Sequence, residues 1–508
     1  MFENGLDMKK EKIDSYTLSS VVDYNSRTSL ANNDQIKAQA NGSVDSITSI
    51  TQKEYDPYEH RNVEHPNTYF GAVVHIIKGS LGTGILATPR AFKTAGLAVG
   101  GVGTILIGIL CTYNIRLLVS ASHIICVRTK TPSLDFAESV EAIFQNGPKP
   151  VRRWSRFARV FVEIALCLTY FLGIAVIAVF ISESLTKLVS FFHPPAESWH
   201  NYFMLALYIL LVFLCQIREL KHMVPFSFIA NVTLVTAFVI TLYYMAVKIQ
   251  EVDISERHLA TSIGNIPSYF STVLFAMEGV GSIMPVENTM IESKFLGRMG
   301  VLNVAMGFVV TCHTFIGFCG YFAFGEDTHA AITQNLPSDK IPRNLDLTWM
   351  SFNIEPIRSS IYQAFYCRRG LAGISPAQIA QACICSSMFF TFMLNHYVPT
   401  DILWRHLRTR LAPQKHNVAQ TILRTLTVTF AMSVAAAAGH NLDSLIDLVG
   451  AVFFSILGLL VPGVVDILIN WNDWGFCSWK LYKNILMILI SLFALVSGSF
   501  YAIRSFAK

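Results

Sequence analysis

"HIIKGSLGTGILATPRAF", residues 75–92, is apolar enough to enter a membrane, yet it carries His75, Lys78, three glycines (Gly79, Gly82 and Gly84) and Thr88-Pro89-Arg90. Glycine tolerates non-helical dihedrals and proline removes a backbone donor, so a helix through this stretch is expected to break. At membrane depth the freed N–H and C=O groups meet no water and need other partners. A second segment breaks in the same way: "FSTVLFAMEGVGSIMPVENTM", residues 270–290, is apolar and interrupted by Glu278, Gly279, Gly281 and Pro285.

The rest of the chain supports a membrane setting. Of 508 residues, 52% are hydrophobic and 14% charged, against about a quarter charged in soluble domains. Apolar runs predict eleven spans, near 69–91, 96–125, 157–186, 201–217, 224–248, 265–291, 299–324, 376–399, 418–438, 444–470 and 481–503. The two interrupted segments are the first and the sixth, so each opens a group of five. Broken helices in matching positions of two halves point to an inverted-repeat transporter with its site near the bilayer midplane.

Residues 1–65 are polar, rich in Asn, Ser and Asp, and have no apolar signal-peptide core, which predicts a disordered cytosolic tail before a transmembrane domain over 66–508. The formal charge of +5 does not indicate nucleic acid, because the cations sit in short loops. Arg128, Lys130, Lys149, Arg152, Arg153 and Arg156 crowd the loop after the second span; Arg405, Arg408, Arg410 and Lys415 crowd the loop after the eighth. The positive-inside rule then places the N-terminus in the cytosol and the C-terminus outside. The long loop 325–375 carries Lys340, Arg343, Arg358, Arg368 and Arg369 on the outer side, but long loops obey the rule weakly. Cys367 is alone outside, so no disulfide framework is expected, and the sequons at Asn41 and Asn231 fall in the tail and inside a span.

What could fill the breaks is a zwitterion. A carboxylate accepts from free N–H groups at a half-helix N-terminus, and an ammonium donates to carbonyls freed at a half-helix C-terminus. The substrate-binding candidates are therefore Gly79, Ser80, Gly82, Thr83, Gly84, Glu278, Gly279 and Gly281. The same glycines would also serve close helix packing. Nucleotide binding fits poorly, since the spacing is G-x-x-G-x-G and no P-loop follows.

Several stretches together carry a family resemblance: "YDPYEHRNVEHP" leading into "HIIKGSLGTGILATPRAFKTAG", then "LFAMEGVGSIMPVENTM", "GYFAFGEDTHAAITQNLP" and "NHYVPTDILW". They resemble the proton-coupled amino acid transporters of the amino acid/auxin permease family, closest to the insect members, over nearly all of the chain after residue 55. The resemblance implies an all-α polytopic fold of about eleven helices, of the five-plus-five inverted-repeat (APC/LeuT-like) type, carrying small neutral amino acids, often with a proton and with no other cofactor. The chain departs from that pattern at residues 337–375, a polar, poorly periodic insertion that is either an unusual outer loop or a segment that damages the product.

His75 is the first proton-coupling candidate, because imidazole titrates near physiological pH and ionisable residues within membranes carry function by default. The resemblance implies the same role for a histidine at this place. Its structural alternative is a neutral ring hydrogen-bonded between helices. Glu278 is the second candidate; it needs a proton or a partner, either Lys78 from the matching break or the N–H groups near Gly279 and Gly281. His313 and His396 lie in spans without an adjacent break, and Glu163, Glu183, Asp447 and Asp466 interrupt apolar runs, which assigns them to bundle-facing or span-end positions. An intramembrane enzyme is disfavoured by the lack of HExxH, GxSxG and CxxC patterns. A transporter-like sensor, with signalling partners and little flux, would use the same pocket. The membrane is either the plasma membrane or a lysosomal or endosomal one.

Overall fold

The computed structural model describes residues 55–82, 84–218, 223–277, 279–336, 375–471, 473–475 and 478–506. The body formed by Tyr55–Lys508 is all-helical among these residues. Among the described residues nine helices are long and apolar enough to cross a membrane, and ten if the bent pair Tyr69–Ser80 and Gly84–Ala95 counts as one span; the shorter apolar helix His200–Leu214 occupies the expected fourth position. Each of the eleven apolar runs coincides with one of these elements. The chain is a multi-pass membrane protein. Residues 1–54 of the expected tail and 337–374 of the insertion lie outside the described residues.

Local chemistry sets the helix ends. Thr68 caps the first span by accepting from the Gly71 N–H at 3.1 Å, and the half-helix stops at Leu81, whose N–H still reaches the Ile77 carbonyl at 2.8 Å. The second half, Gly84–Ala95, lies 53° off the first. The sixth span likewise divides into Ile266–Ala276 and Val280–Asn288. Ser375 and Gln378 form a capping box with Pro376 in the first turn, starting the eighth span, Pro376–Arg408. The tenth span runs as Leu442–Val449, a π-helical stretch Gly450–Leu460, and Val461–Ile469.

The apolar core is split rather than continuous. One cluster includes Ile85, Leu86, Ala91, Val176, Phe275 and Ile446; the other includes Ile76, Val162, Ile283, Met284, Leu457 and Val465. Both breaks fall where the chain passes from one cluster to the other, between Ile76 and Ile85 in the first span and between Phe275 and Ile283 in the sixth. A polar layer thus interrupts the bundle at the level of the breaks.

The structured body begins before residue 66. Pro57–His60 forms a short 3-10 helix capped by Asp56, Tyr58 is buried, and Arg61 reaches the sixth span. The tail boundary expected at 65 therefore moves back to Tyr55, because a buried tyrosine and an ion pair hold this segment against the bundle.

Spans approach closely where glycine permits it. A Cβ on Gly450 would stand 2.0 Å from the Ser271 carbonyl oxygen of the sixth span, and backbone cannot yield as a side chain can. Gly450→Ala should therefore destabilise by about 1–3 kcal/mol or more, as overpacking does. Gly307→Ala, where nothing lies within 4 Å, should leave the thermal unfolding midpoint in detergent unchanged. Equal midpoints for the two variants would contradict this packing.

Candidate functional site

The two breaks meet. A Cβ on Gly279 would lie 2.7 Å from the Ser80 hydroxyl, one on Gly79 would lie 3.1 Å from the Ser282 hydroxyl, and one on Gly84 would lie 2.5 Å from the Ala276 Cα. Glycine at 84 thus lets the backbones of the first and sixth spans touch, and glycine at 279 admits the Ser80 side chain against the sixth span. Gly281 faces the Tyr170 hydroxyl of the third span, 2.6 Å from where its Cβ would be. Gly82 differs, since among the described residues an added Cβ would find only the Gly79 carbonyl, at 3.8 Å. Thr83 and Glu278 lie outside the described residues.

Part of the backbone account can be followed atom by atom. The Gly279 carbonyl accepts from the N–H groups of Ser282 (3.0 Å) and Ile283 (3.2 Å) and from the Ser282 hydroxyl (2.9 Å). The freed Ser80 carbonyl accepts from His313 Nε2 at 3.3 Å. With the proton on Nε2, the neutral ring presents Nδ1 as an acceptor to the Thr88 hydroxyl at 2.9 Å. His313, on the seventh span Val301–Phe324 and fully buried, therefore ties both halves of the first span together across the break. The Ser80 hydroxyl is buried between the breaks and has no hydrogen-bond partner among the described residues.

The sequence-predicted ionisable residues fall in different places. His75 is on the exposed face of Tyr69–Ser80, a helical turn before Gly79, and makes no hydrogen bond to a described residue. Lys78, on the same face, donates to the Ser227 hydroxyl of the fifth span at 2.6 Å. His396 is buried and bonds to the Thr427 hydroxyl at 2.8 Å, away from the breaks. The four carboxylates that interrupt apolar runs all have partners. Glu163 pairs with Arg159 and His406, and Glu183 accepts from Gln334. Asp466 accepts from Lys483, Asn484 and Asn470. Asp447 pairs with Arg90.

Ion-pair networks close the bundle on both sides of the breaks. At one end, Arg61 donates to both Glu287 carboxylate oxygens, at 2.9 and 3.0 Å, and to the carbonyls of Glu287 and Met290. Tyr58 donates to the same carboxylate at 2.8 Å, and its burial together with that negative neighbour pushes the phenol pKa well above its ordinary value. At the other end, Arg90 makes a two-pronged contact with Asp447 at 3.1 and 3.0 Å and reaches Asp443 at 2.8 Å; Ser268 and Thr272 of the sixth span each donate to Asp447 at 2.6 Å. Just below it, Leu86, Val176, Phe180 and Ile446 enclose only about 20 Å³, about one water's worth of space.

A family model described as "Transmembrane amino acid transporter protein" matches residues 65–351 and 373–504. The chain belongs to the transmembrane amino acid transporter family. It is 31% identical over 466 residues to "Proton-coupled amino acid transporter-like protein pathetic" of Drosophila melanogaster, covering 91% of this chain and 90% of that protein. It is 24% identical over 450 residues to "Probable amino acid transporter skat-1" of Caenorhabditis elegans, covering 85% and 89%. Among solved structures, MhsT in complex with L-phenylalanine aligns over 88% of this chain and 98% of its own, at 12% identity and a TM-score of 0.42. The family is one of transporters, so the protein is not an enzyme. The family model passes over residues 352–372, within the expected insertion.

The transporter's sequence hides His313. It has no break beside it in the chain and reaches Ser80 from 233 positions away; the only local signal is a histidine in an otherwise apolar helix. Its replacement by Ala would leave a buried carbonyl unpaired, a loss of about 1–3 kcal/mol. His313→Ala should thus lower both thermal stability and substrate affinity, with His313→Gln restoring part of each because an amide can donate to Ser80; a full-affinity His313→Ala protein would remove the residue from the site.

The glycines can be separated by their surroundings. Gly82→Val adds a side chain to open space and should abolish substrate binding while membrane insertion and the unfolding midpoint stay as in the wild type. Gly281→Val must first displace Tyr170 and should lose stability as well. Unchanged binding in Gly82→Val would return this glycine to a packing role.

Proposed function

We propose that the protein moves small neutral amino acids in symport with protons, with its N-terminus cytosolic, in the plasma membrane or an endolysosomal membrane. The observation that carries this reading is the meeting of the two breaks around the unpartnered Ser80 hydroxyl. A substrate carboxylate fits the N–H groups at the start of Gly84–Ala95, and its ammonium fits carbonyls at the ends of Tyr69–Ser80 and Ile266–Ala276. Close approach of Gly79 to Ser282 and of Gly281 to Tyr170 restricts the side chain to a small one. Ser80, Ser282, Tyr170 and His313 carry no fixed charge, which favours a neutral one.

Transport requires the two closed ends to open in turn. With the N-terminus inside, the Arg61–Glu287 pair with Tyr58 closes the cytosolic side and Arg90 with Asp443 and Asp447 the outer side. The first pair joins the segment before the first span to the half-helix Val280–Asn288, and the second joins the half-helix Gly84–Ala95 to the tenth span, so opening either one moves a half-helix that also lines the break.

Proton coupling draws on the Drosophila relative, whose name describes a proton-coupled amino acid transporter-like protein, and on the position of His75, an imidazole one turn before the break. Protonation there favours the loaded state and couples the two fluxes. Uptake of a panel of labelled amino acids should rise as the outside pH falls from about 7.5 to about 5.5. His75→Asn should remove that pH dependence more completely than it removes substrate binding. A wild type indifferent to pH would make the protein a uniporter or sensor; full pH dependence in His75→Asn would move the proton elsewhere, with Glu278 the next residue to test.

A further inference from the structure

A second site lies away from the breaks, where the third span starts. There an apolar crevice of about 420 Å³ opens between Phe157 and Phe161 of the third span, Val461 and Val464 of the tenth, and Val140 and Phe144 of the helix Phe136–Asn146. Its walls are almost wholly hydrocarbon, and its volume is in the range that holds a ligand. Phe157 and Phe161 are exposed, so the crevice opens sideways at the surface of the bundle.

Its upper edge is basic. Trp154, also lining the crevice, is exposed and lies under the Arg153 guanidinium, 5.7 Å from the ring centroid. Tryptophan favours the headgroup level of a bilayer, so the crevice below it reaches into the acyl region. Lys149, Arg152 and Arg156 flank Arg153, and all four are exposed. The nearby carboxylates Glu138, Glu141 and Glu163 turn toward Arg159, at 3.9, 2.9 and 3.0 Å, rather than toward these four cations. Among the described residues none of the four pairs with a carboxylate. The edge therefore presents four unpaired cations beside a hydrocarbon slot.

We propose that this is a binding site for an anionic phospholipid, with an acyl chain in the crevice and the phosphate and acidic headgroup among Lys149, Arg152, Arg153 and Arg156. Each part of the ligand meets its chemical complement, and the order along the membrane normal matches that of a lipid. The site joins the third span, whose Tyr170 faces Gly281, to the tenth, whose Asp447 holds Arg90, so an occupant would brace two spans that line the transport path.

The test uses the full chain reconstituted in nanodiscs of phosphatidylcholine with or without phosphatidylserine, followed by native mass spectrometry of the lipid retained on release. The wild type should retain phosphatidylserine in preference to phosphatidylcholine, and its unfolding midpoint should rise with phosphatidylserine present. Replacing Arg152, Arg153 and Arg156 together by Gln should reduce the preference at least tenfold, since each cation near an anionic surface contributes roughly fivefold. Val464→Trp, which fills the slot and leaves the charges, should lose retained lipid of both kinds. Leu460→Phe fills the same slot less severely and serves if Val464→Trp does not fold. Glycerophosphoserine, the headgroup without chains, should fail to displace the lipid. The proposal is overturned if the wild type shows no headgroup preference, if a folded slot-filled variant retains as much phosphatidylserine as the wild type, or if the chain-free headgroup displaces it.

Discussion

A peptide group freed from its helix inside a bilayer has no water to turn to, so an interruption persists only if another part of the protein meets it. Here the first and sixth spans are interrupted at the same level and lie against one another. Some of what they expose is met internally: His313 serves the Ser80 carbonyl and Thr88, while Ser282 and Ile283 serve the Gly279 carbonyl. The Ser80 hydroxyl has no hydrogen-bond partner among the described residues. A buried polar layer left partly unsatisfied by its own protein suits a polar ligand, and an amino acid backbone brings both an acceptor and a donor.

The split in the apolar core follows from the same constraint. Hydrocarbon side chains cannot fill a layer crossed by freed backbone, so one cluster forms on each side of it. Two ion pairs are then placed at the far edges of those clusters. Arg61 with Glu287 and Arg90 with Asp447 each bury both partners and satisfy them with additional hydrogen bonds, as a buried pair requires. Such pairs contribute little net stability, because desolvation opposes their attraction.

The spans and both interruptions could be read from the chain because they depend on near neighbours: apolar run length, glycine clusters and proline. Partners could not, since they depend on the packing of distant segments. Lys78 donates to Ser227 on the fifth span, which no local pattern signals, while its candidate partner Glu278 lies outside the described residues. Arg61 lies in a stretch that reads as tail, and only Glu287, 226 positions on, turns it into part of the bundle. His313 was legible as an intramembrane histidine but not as a neighbour of the break. The family resemblance supplied the substrate class, which neither hydropathy nor spacing contains.

The glycines show why packing and binding were hard to separate as alternatives. Gly84 and Gly279 bring the two spans so close that an added methyl group would overlap Ala276 or Ser80, and in that sense they are packing glycines. That contact is also what sets the freed ends of both spans side by side, so packing builds the site. Gly82 has no neighbour that close among the described residues. Within one G-x-x-G-x-G cluster, then, the last glycine lets the two spans close on each other while the middle one meets nothing of the opposing span among the described residues, a division visible only once that span is in place.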